Sequence, residues 1–393
     1  MEGGLYLSRR ERKRLKVLEE VKREHLSLAE AATILRMSYR QVGRIWRRYQ
    51  EAGDRGLVHR GRGKAPNNAH EAGFKERVLA RYRERYEGFG PTLAAEKLGE
   101  EGMVIDHNTL WRWLGEAKLW ARHRARSPYR QRRERKKHFG EMVQLDGSHH
   151  FWFEDRAESC CLMNLVDDAT GTTLSLMSKE ETTEAAMQVL WAWIKRYGIP
   201  ASLYCDRKSV YITEREPTLE EQLAGVDPMT AFGLACRKLG VEIITAHSPQ
   251  AKGRVERNHG VYQDRFVKEL RLRGIRSIEE ANVMLAGGFF EGLNRRFAKK
   301  ASSDVDCHVP LGTTDPRSVF CTEVQRTVAR DWVVQNDCRR YQILRDARPR
   351  PRPGTKVTVA QWLDGSIHLL VKGKEIPFEE LTSVAGREEV LAS

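Results

Sequence analysis

Apolar residues recur at helical spacing through the first third of the chain and switch to strand-like runs near residue 140. In SRRERKRLKVLEEVKRE (8–24), Leu15, Leu18 and Val21 share one helical face. Ser27 is a fitting N-cap for a second helix, LAEAATIL, and Ser38 for a third, YRQVGRIWRRYQEAG, which ends near Gly53. Two short helices, a tight turn and a third helix make a helix-turn-helix layout, with Val42, Ile45, Trp46 and Tyr49 as the inward stripe. The trihelical pattern then recurs as a helix over 73–87, GPTLAAEKLGEEG, and DHNTLWRWLGEAKLW capped by Asp106. Leu110, Trp111, Trp113 and Leu114 are its expected apolar anchors.

After residue 138 the texture changes. EMVQLDGSHHFWF, SCCLMNLVDDATG and TTLSLMSKE read as three strands, and TTEAAMQVLWAWIKRYG as a helix. PASLYCDRKSV is a fourth strand, MTAFGLACRKLG a helix, VEIITAHS a strand, and QAKGRVERNHGVYQDRFVKELRLRG a long helix. The order β-β-β-α-β-α-β-α predicts an α/β core of the RNase H-like kind. A further helix, capped by Ser277, runs through IEEANVMLAGGFFEGLNRRFAKK. Five short segments come next: DWVVQ, RRYQILR, TKVTVAQW, SIHLLVKG and EIPFEEL, with Asp364-Gly365 as a hairpin signal. They predict a small β-barrel. The chain thus reads as multidomain: helix-turn-helix over 1–58, linker 59–70, second helix-turn-helix 71–120, basic linker 121–138, catalytic core 139–300, linker 301–327 and barrel 328–393.

Charge sharpens this division. Residues 1–140 hold 34 Lys and Arg against 18 Asp and Glu, whereas residues 141–393 hold 34 against 36. All of the net +14 therefore sits in the first third, which points to a polyanionic partner, double-stranded DNA first. The residues expected to meet DNA are Tyr39, Arg40, Gln41, Arg44, Arg47 and Arg48 on the third helix, and Arg60, Arg62 and Lys64 in the Arg-Gly arm, a type of segment that often enters a minor groove. Asn108 and Arg112 join them from the second trihelical unit. Arg124, Arg126, Arg130, Arg132 and Arg133 do so from the run ARHRARSPYRQRRERKKH, which has a single acid. The seven cysteines are scattered, form no C-x-x-C pair, and read as reduced apolar fillers. With no 20-residue apolar stretch and no apolar segment behind the basic N-terminus, a soluble cytoplasmic protein is expected.

Three carboxylates occupy distinctive places in the core: Asp146 in the first strand, Asp206 at the end of the fourth, and Glu256 near the start of the last helix. In an RNase H-like sheet those two strands are neighbours and the helix crosses beside them. Transfer of a phosphodiester asks for charge neutralisation on the attacking and leaving oxygens, which two Mg²⁺ ions roughly 3.5–4 Å apart provide. Mg²⁺ takes hard oxygen ligands, so a few carboxylates suffice, and Mn²⁺ is able to substitute. Asp167 and Asp168 are the rival ligands, although DDATG reads more readily as a strand-ending turn. His149, His150 and Trp152 are candidates for contact with a DNA end, or else plain hairpin residues beside the site.

FGEMVQLDGSHHFWFE, LVDDATG, DRKSVY and HSPQAKGRVERNHGVYQDRFVKELR resemble the integrase-core transposases of bacterial insertion sequences, most closely the group called ISNCY. The likeness spans nearly the whole chain, and SPQAKGRVER is its most specific motif. It implies that Asp146, Asp206 and Glu256 form a DDE triad, that Lys252 and Arg257 lie beside the scissile DNA, and that the last domain is SH3-like. It also implies binding to terminal inverted repeats, cleavage at the ends, joining of 3′-OH ends to target DNA, and at least a dimer. The 49 residues between Asp206 and Glu256 exceed the roughly thirty-five of retroviral-type cores, the excess falling in TEREPTLEEQLAGVDP. A catalytically silent DNA-binding regulator and a nuclease without joining activity are the alternatives.

Overall fold

Ser8, Ser27 and Ser38 each start a helix: α1 (Arg9–Lys22), α2 (Leu28–Leu35) and α3 (Tyr39–Ala52). In all three, the serine hydroxyl accepts an amide one turn on, and Glu11, Glu30 or Gln41 returns the bond to the serine amide. These features come from a computed structural model, which describes residues 5–63, 70–121, 134–225, 227–245 and 253–381. The candidate residues Lys64, Arg124, Arg126, Arg130, Arg132, Arg133 and Lys252 lie outside the described residues. The chain divides into two compact units, Met1–Arg81 and Tyr82–Ser393. Among the described residues, no helix is long and apolar enough to cross a membrane.

In the first unit, Leu18, Ala31, Val42, Ile45 and Leu57 form the core, with Leu15, Val21, Trp46 and Tyr49 packed around it. Tyr39, Arg40, Arg44 and Arg47 are left exposed on α3, as the periodicity predicts, and Arg48 is half-buried. Two expected DNA contacts also have structural duties. Gln41 completes the α3 cap, and Arg62 pairs with Glu11 while donating to the Tyr6 carbonyl at 2.6 Å. Glu11 is almost fully buried and also accepts the amides of Ser8 at 2.8 Å and His59 at 3.0 Å. Burial opposes its charge, but Ser8, His59 and Arg62 outweigh burial and hold the carboxyl at about 2, against 4.5 ordinarily. A depressed carboxylate pKa stabilises the fold fully above about pH 4.5 and loses that contribution as pH falls through about 2. Amide exchange in α1 is expected to accelerate across that window, and a Glu11→Gln variant to be fast already at neutral pH.

In the second unit, α4 (Phe74–Arg85) crosses the boundary and leads to α5 (Pro91–Glu100) and α6 (His107–Glu116). Leu110, Trp113 and Leu114 are buried as predicted, whereas Trp111 faces solvent. Asn108 and Arg112 are exposed on α6. The core follows as β1 (Val143–His150), β2 (Cys160–Asp167), β3 (Thr173–Ser178), α7 (Thr183–Tyr197) and β4 (Ser202–Cys205). It continues with α8 (Leu219–Ala224), α9 (Ala231–Leu239), β5 (Glu242–Thr245) and α10 (Gly253–Leu272). The strands form one sheet in the order β3-β2-β1-β4-β5, antiparallel from β3 to β1 and parallel from β1 to β5, which is the RNase H-like arrangement. Every position of β2 is buried, as in a strand covered by helices on both faces. The acidic insertion before α9 is not all loop, since α8 lies within it.

Three expectations need correction. The helix expected from Ile278 through Lys300 breaks into α11 (Ile278–Met284) and α12 (Phe290–Phe297), because Gly288 takes a φ of 107° between them. Part of the expected linker 301–327 is bound to the core: Phe139 bridges Asp306, Ile199 bridges Val309, and the Trp193 indole donates to His308 at 3.0 Å. The same stretch holds α13 (Pro316–Val319) and β6 (Cys321–Thr327). Finally, no closed barrel forms among the described residues. Beyond β6 lie β7 (Val333–Asn336), β8 (Arg339–Ile343), β9 (Lys356–Trp362), β10 (Ile367–Val371), β11 (Lys374–Ile376) and β12 (Phe378–Leu381). They make two sheets, β11-β10-β9-β6 and β12-β8-β7, around Val334, Tyr341, Val359 and Leu369. EIPFEEL is two strands in two sheets because Pro377, with no N–H to give a ladder, separates them.

Candidate active site

Strand alternation puts Gln144, Asp146 and Ser148 on one face of β1. That face meets α10. Gln144 accepts the Val255 amide at 3.2 Å, the Gln263 amide group donates to Ser148 at 3.4 Å, and His259 Nδ1 lies 3.9 Å from Asp146 Oδ2. Directly across the ladder from Asp146 is Asn164, wholly buried, which donates to Asn258 of α10 at 2.7 Å and accepts from Thr173 and Ser175. The helix is thus located by amide and hydroxyl contacts, not by apolar packing alone. Glu256 stands in its first turn, three residues before His259, and is exposed.

β4 runs parallel to β1 with Val143 opposite Leu203 and Gln144 opposite Tyr204. Asp206 follows the last residue of β4, two residues past Tyr204, as Asp146 is two residues past Gln144. The structure therefore carries Asp146 on β1, Asp206 just past the end of the neighbouring strand β4, and Glu256 on the helix packed against β1. Lys208, two residues beyond Asp206, has its ammonium 2.5 Å from Glu181 Oε2 and 3.5 Å from Asp206 Oδ2. Partial burial works against its charge, but Glu181, then Asp206 and Asp146, raise its pKa above the ordinary lysine value. Glu181, between β3 and α7, also accepts the Tyr211 hydroxyl at 2.8 Å. It leans over Gly147, where an added Cβ would collide with Glu181 Oε2, so the residue after Asp146 has to be glycine for this contact to exist.

The rivals Asp167 and Asp168 are fully buried and engaged structurally. Asp167 ties the turn by accepting the Thr170 amide and hydroxyl at 2.7 Å and the Gly140 amide at 3.0 Å. Burial is the largest influence on it and raises its pKa in spite of those bonds. Asp168 accepts from Gln144 and the Lys136 amide, each at 2.8 Å, and pairs with Arg254 at the start of α10. His149, Cys161 and Glu181 present one donor atom each within 4.8 Å of one another. Both Glu181 oxygens are already taken, and burial, first, pushes the Cys161 thiol up to about 12, so this cluster is a closed polar contact. Cys160, Cys161, Cys205, Cys236 and Cys321 are buried free thiols as expected, with Cys307 half-buried and Cys338 exposed.

Trp152 is wholly buried and donates to the Ser148 carbonyl at 3.0 Å, so no base reaches its ring. His150 packs edge-on against it. Exposed instead is Phe151, 62% accessible, in a cleft with His149, Glu158 and Lys179. The sequence signals for Lys208 and Phe151 are adjacency to Asp206 and to the histidine pair; for Glu181, Asn164 and Asn258 there is none, since their roles depend on register between distant segments. Arg257, next to Glu256, is exposed. The second trihelical unit is anchored to the core. Arg265 of α10 grips Glu96 of α5 through two bonds of 2.7 and 3.0 Å, Arg296 of α12 pairs with the same carboxylate, and Lys97 meets Glu269 at 3.0 Å.

An RNase H-like sheet with acidic residues on its central strands and on the helix packed against them, in a chain that also holds a helix-turn-helix unit, defines a protein of the integrase–transposase class. The helix-turn-helix domain family matches residues 13–65. A putative transposase of Sinorhizobium fredii, y4bF, is 35% identical over 380 residues, spanning 96% of this chain and 82% of the relative. The transposase for insertion sequence IS1202 of Streptococcus pneumoniae is 30% identical over 334 residues, 75% of this chain and 70% of its own length. The HTLV-2 integrase catalytic core domain aligns with 38% of this chain and 86% of its own at 18% identity, with a TM-score of 0.28, a likeness too slight to support an inference. The chain belongs to the family of insertion-sequence transposases.

Proposed function

We propose that this protein is a DDE transposase that binds the terminal inverted repeats of its own element, cuts at the ends and joins the freed 3′-OH ends to target DNA. The observation that supports it most is that Asp206 follows β4, the parallel neighbour of the strand that carries Asp146, with the helix of Glu256 packed against that strand. The donor set suits Mg²⁺: hard carboxylate oxygens, partly open to solvent, with a cation already resting against Asp206 in the form of the Lys208 ammonium. Asp146, Asp206 and Glu256 would hold two Mg²⁺ ions, which when bound neutralise charge on the attacking and leaving oxygens of a phosphodiester. The chain's own part is placement. Asn164 and Asn258 fix α10, the helix that carries Glu256, against the strands beside Asp146. Tyr39, Arg40, Arg44 and Arg47, exposed on α3, suit phosphates and base edges of the end sequence, with Asn108 and Arg112 of α6 as a second set. Arg257 is stationed beside Glu256 to meet the scissile strand. Two ends must be joined in one event, so at least a dimer acts on DNA.

The test uses a duplex made from the repeats that flank the gene, supplied with a precut 3′-OH end, the full chain and Mg²⁺. Joining of that end to a supercoiled plasmid is the expected result. Cutting of an uncut end with no joining would favour the nuclease reading, and binding with neither reaction the silent regulator.

A further inference from the structure

Lys208 is the one described lysine whose ammonium lies between two carboxylates of different standing in this site: Asp206, proposed above as a metal ligand, and Glu181, which is not. The two holds are unequal, 2.5 Å to Glu181 Oε2 and 3.5 Å to Asp206 Oδ2. Glu181 is itself fixed. Its side chain is 4% exposed, its other oxygen accepts the Tyr211 hydroxyl at 2.8 Å, and Tyr211 is buried edge-on against Phe232. The lysine side chain, by contrast, is 44% exposed and its backbone amide also donates to Asp206 Oδ1 at 3.3 Å. A rigid anchor therefore holds the flexible end of a cation against Asp206, within reach of the charge of Asp146.

We propose that Lys208 is a built-in competitor for the cation site of Asp146 and Asp206, kept at partial reach by Glu181 and Tyr211 as positioning residues. Without metal, two neighbouring carboxylates repel, and a fixed ammonium offsets that repulsion. The same ammonium has to yield when a divalent ion arrives, so metal loading is opposed by a charge the protein supplies. Glu181 sets the strength of that opposition: it draws the ammonium toward itself and away from full contact with Asp206. The inference rests on the reading of Asp146 and Asp206 as metal ligands, and the experiment separates the two.

The measurement is Mn²⁺ binding to the full chain without DNA, read by titration calorimetry and by loss of the free-ion paramagnetic resonance signal. Asp146→Asn is expected to weaken binding at least tenfold; if it does not, the metal-ligand reading fails and takes this proposal with it. Given that weakening, Lys208→Met is expected to tighten Mn²⁺ binding on the order of tenfold, the scale of one opposed unit charge at this range in a solvent-accessible site. Lys208→Arg, which keeps the charge, is expected to stay within about twofold of the parent. Glu181→Gln is expected to weaken binding several-fold in the parent, because the freed ammonium then rests on Asp206, and to change nothing in a Lys208→Met background. A Lys208→Met protein that binds Mn²⁺ no more tightly than the parent overturns the proposal. So does an equal loss from Glu181→Gln in both backgrounds, which would mean that Glu181 acts on the ion directly.

Discussion

Asp146→Asn is expected to reduce Mg²⁺-dependent end cleavage and joining by on the order of 10³-fold or more, while binding to end DNA stays within about twofold. The size follows from what the residue is proposed to do, since metal stabilisation of transition-state charge is worth several kcal/mol and each 1.36 kcal/mol is tenfold in rate. The selectivity follows from where it sits. Asp146 is a central β1 residue whose carboxylate stands 3.9 Å from His259, whereas Gln144, Ser148 and Asn164 make hydrogen bonds to α10. Asparagine has the same shape and leaves the ladder pairing with Asn164 intact. The exposed residues of α3 lie in a separate compact unit. Strand transfer and end binding, measured side by side on one preparation, decide the matter: undiminished strand transfer would sink the assignment.

Asp168→Ala is expected to do the opposite, acting first on stability. Asp168 is fully buried and receives the Gln144 side chain, the Lys136 amide and the Arg254 guanidinium. Removing it takes one carboxylate from a mostly buried guanidinium and the acceptor from Gln144 and the Lys136 amide, a loss of about 3–5 kcal/mol when one partner of such a pair is taken away. A decrease in thermal midpoint on the order of 10 °C is the corresponding signal for a unit of this size. Arg254 and Val255 begin the helix on which Glu256 stands, so cleavage by whatever folded protein remains should decline as well. Replacing both partners, Asp168→Leu with Arg254→Met, should recover most of the stability, because no buried charge is then left alone. Failure of the pair to recover it would mean that the bonds to Gln144 and Lys136 carry the effect instead.

These two acids show how far the sequence can be read. Asp146 is identifiable because it ends an apolar run with period two in the first strand of a recognisable element order. Asp206 comes from the same order, and β1 and β4 are parallel neighbours in the sheet, as that order predicts. Asp168 reads as a turn residue, which in part it is; its pairing with Arg254, 86 residues away, has no local signature. The α3 face illustrates a different limit. Helical periodicity says which side chains point outward, but not which of those already have a partner, and Gln41 completes the helix's own cap. The C-terminal strands are legible one by one, whereas their partition into two sheets is not, since it turns on a single proline inside one short segment.

The ion pairs between α5 and α10 have a geometric consequence. Arg265, which grips Glu96, is nine residues beyond Glu256 on one unbroken helix, about 13.5 Å at 1.5 Å per residue. The helix just before α6 is therefore bolted at a fixed distance from the third carboxylate. If α6 reads part of the end sequence, α10 serves as a measuring rod: the cut falls a set number of base pairs from the bases recognised, whatever the sequence between. Precision of excision would then be a property of the length of a helix, and a one-turn insertion in α10 between Glu256 and Arg265 would move the cut without changing which DNA is chosen.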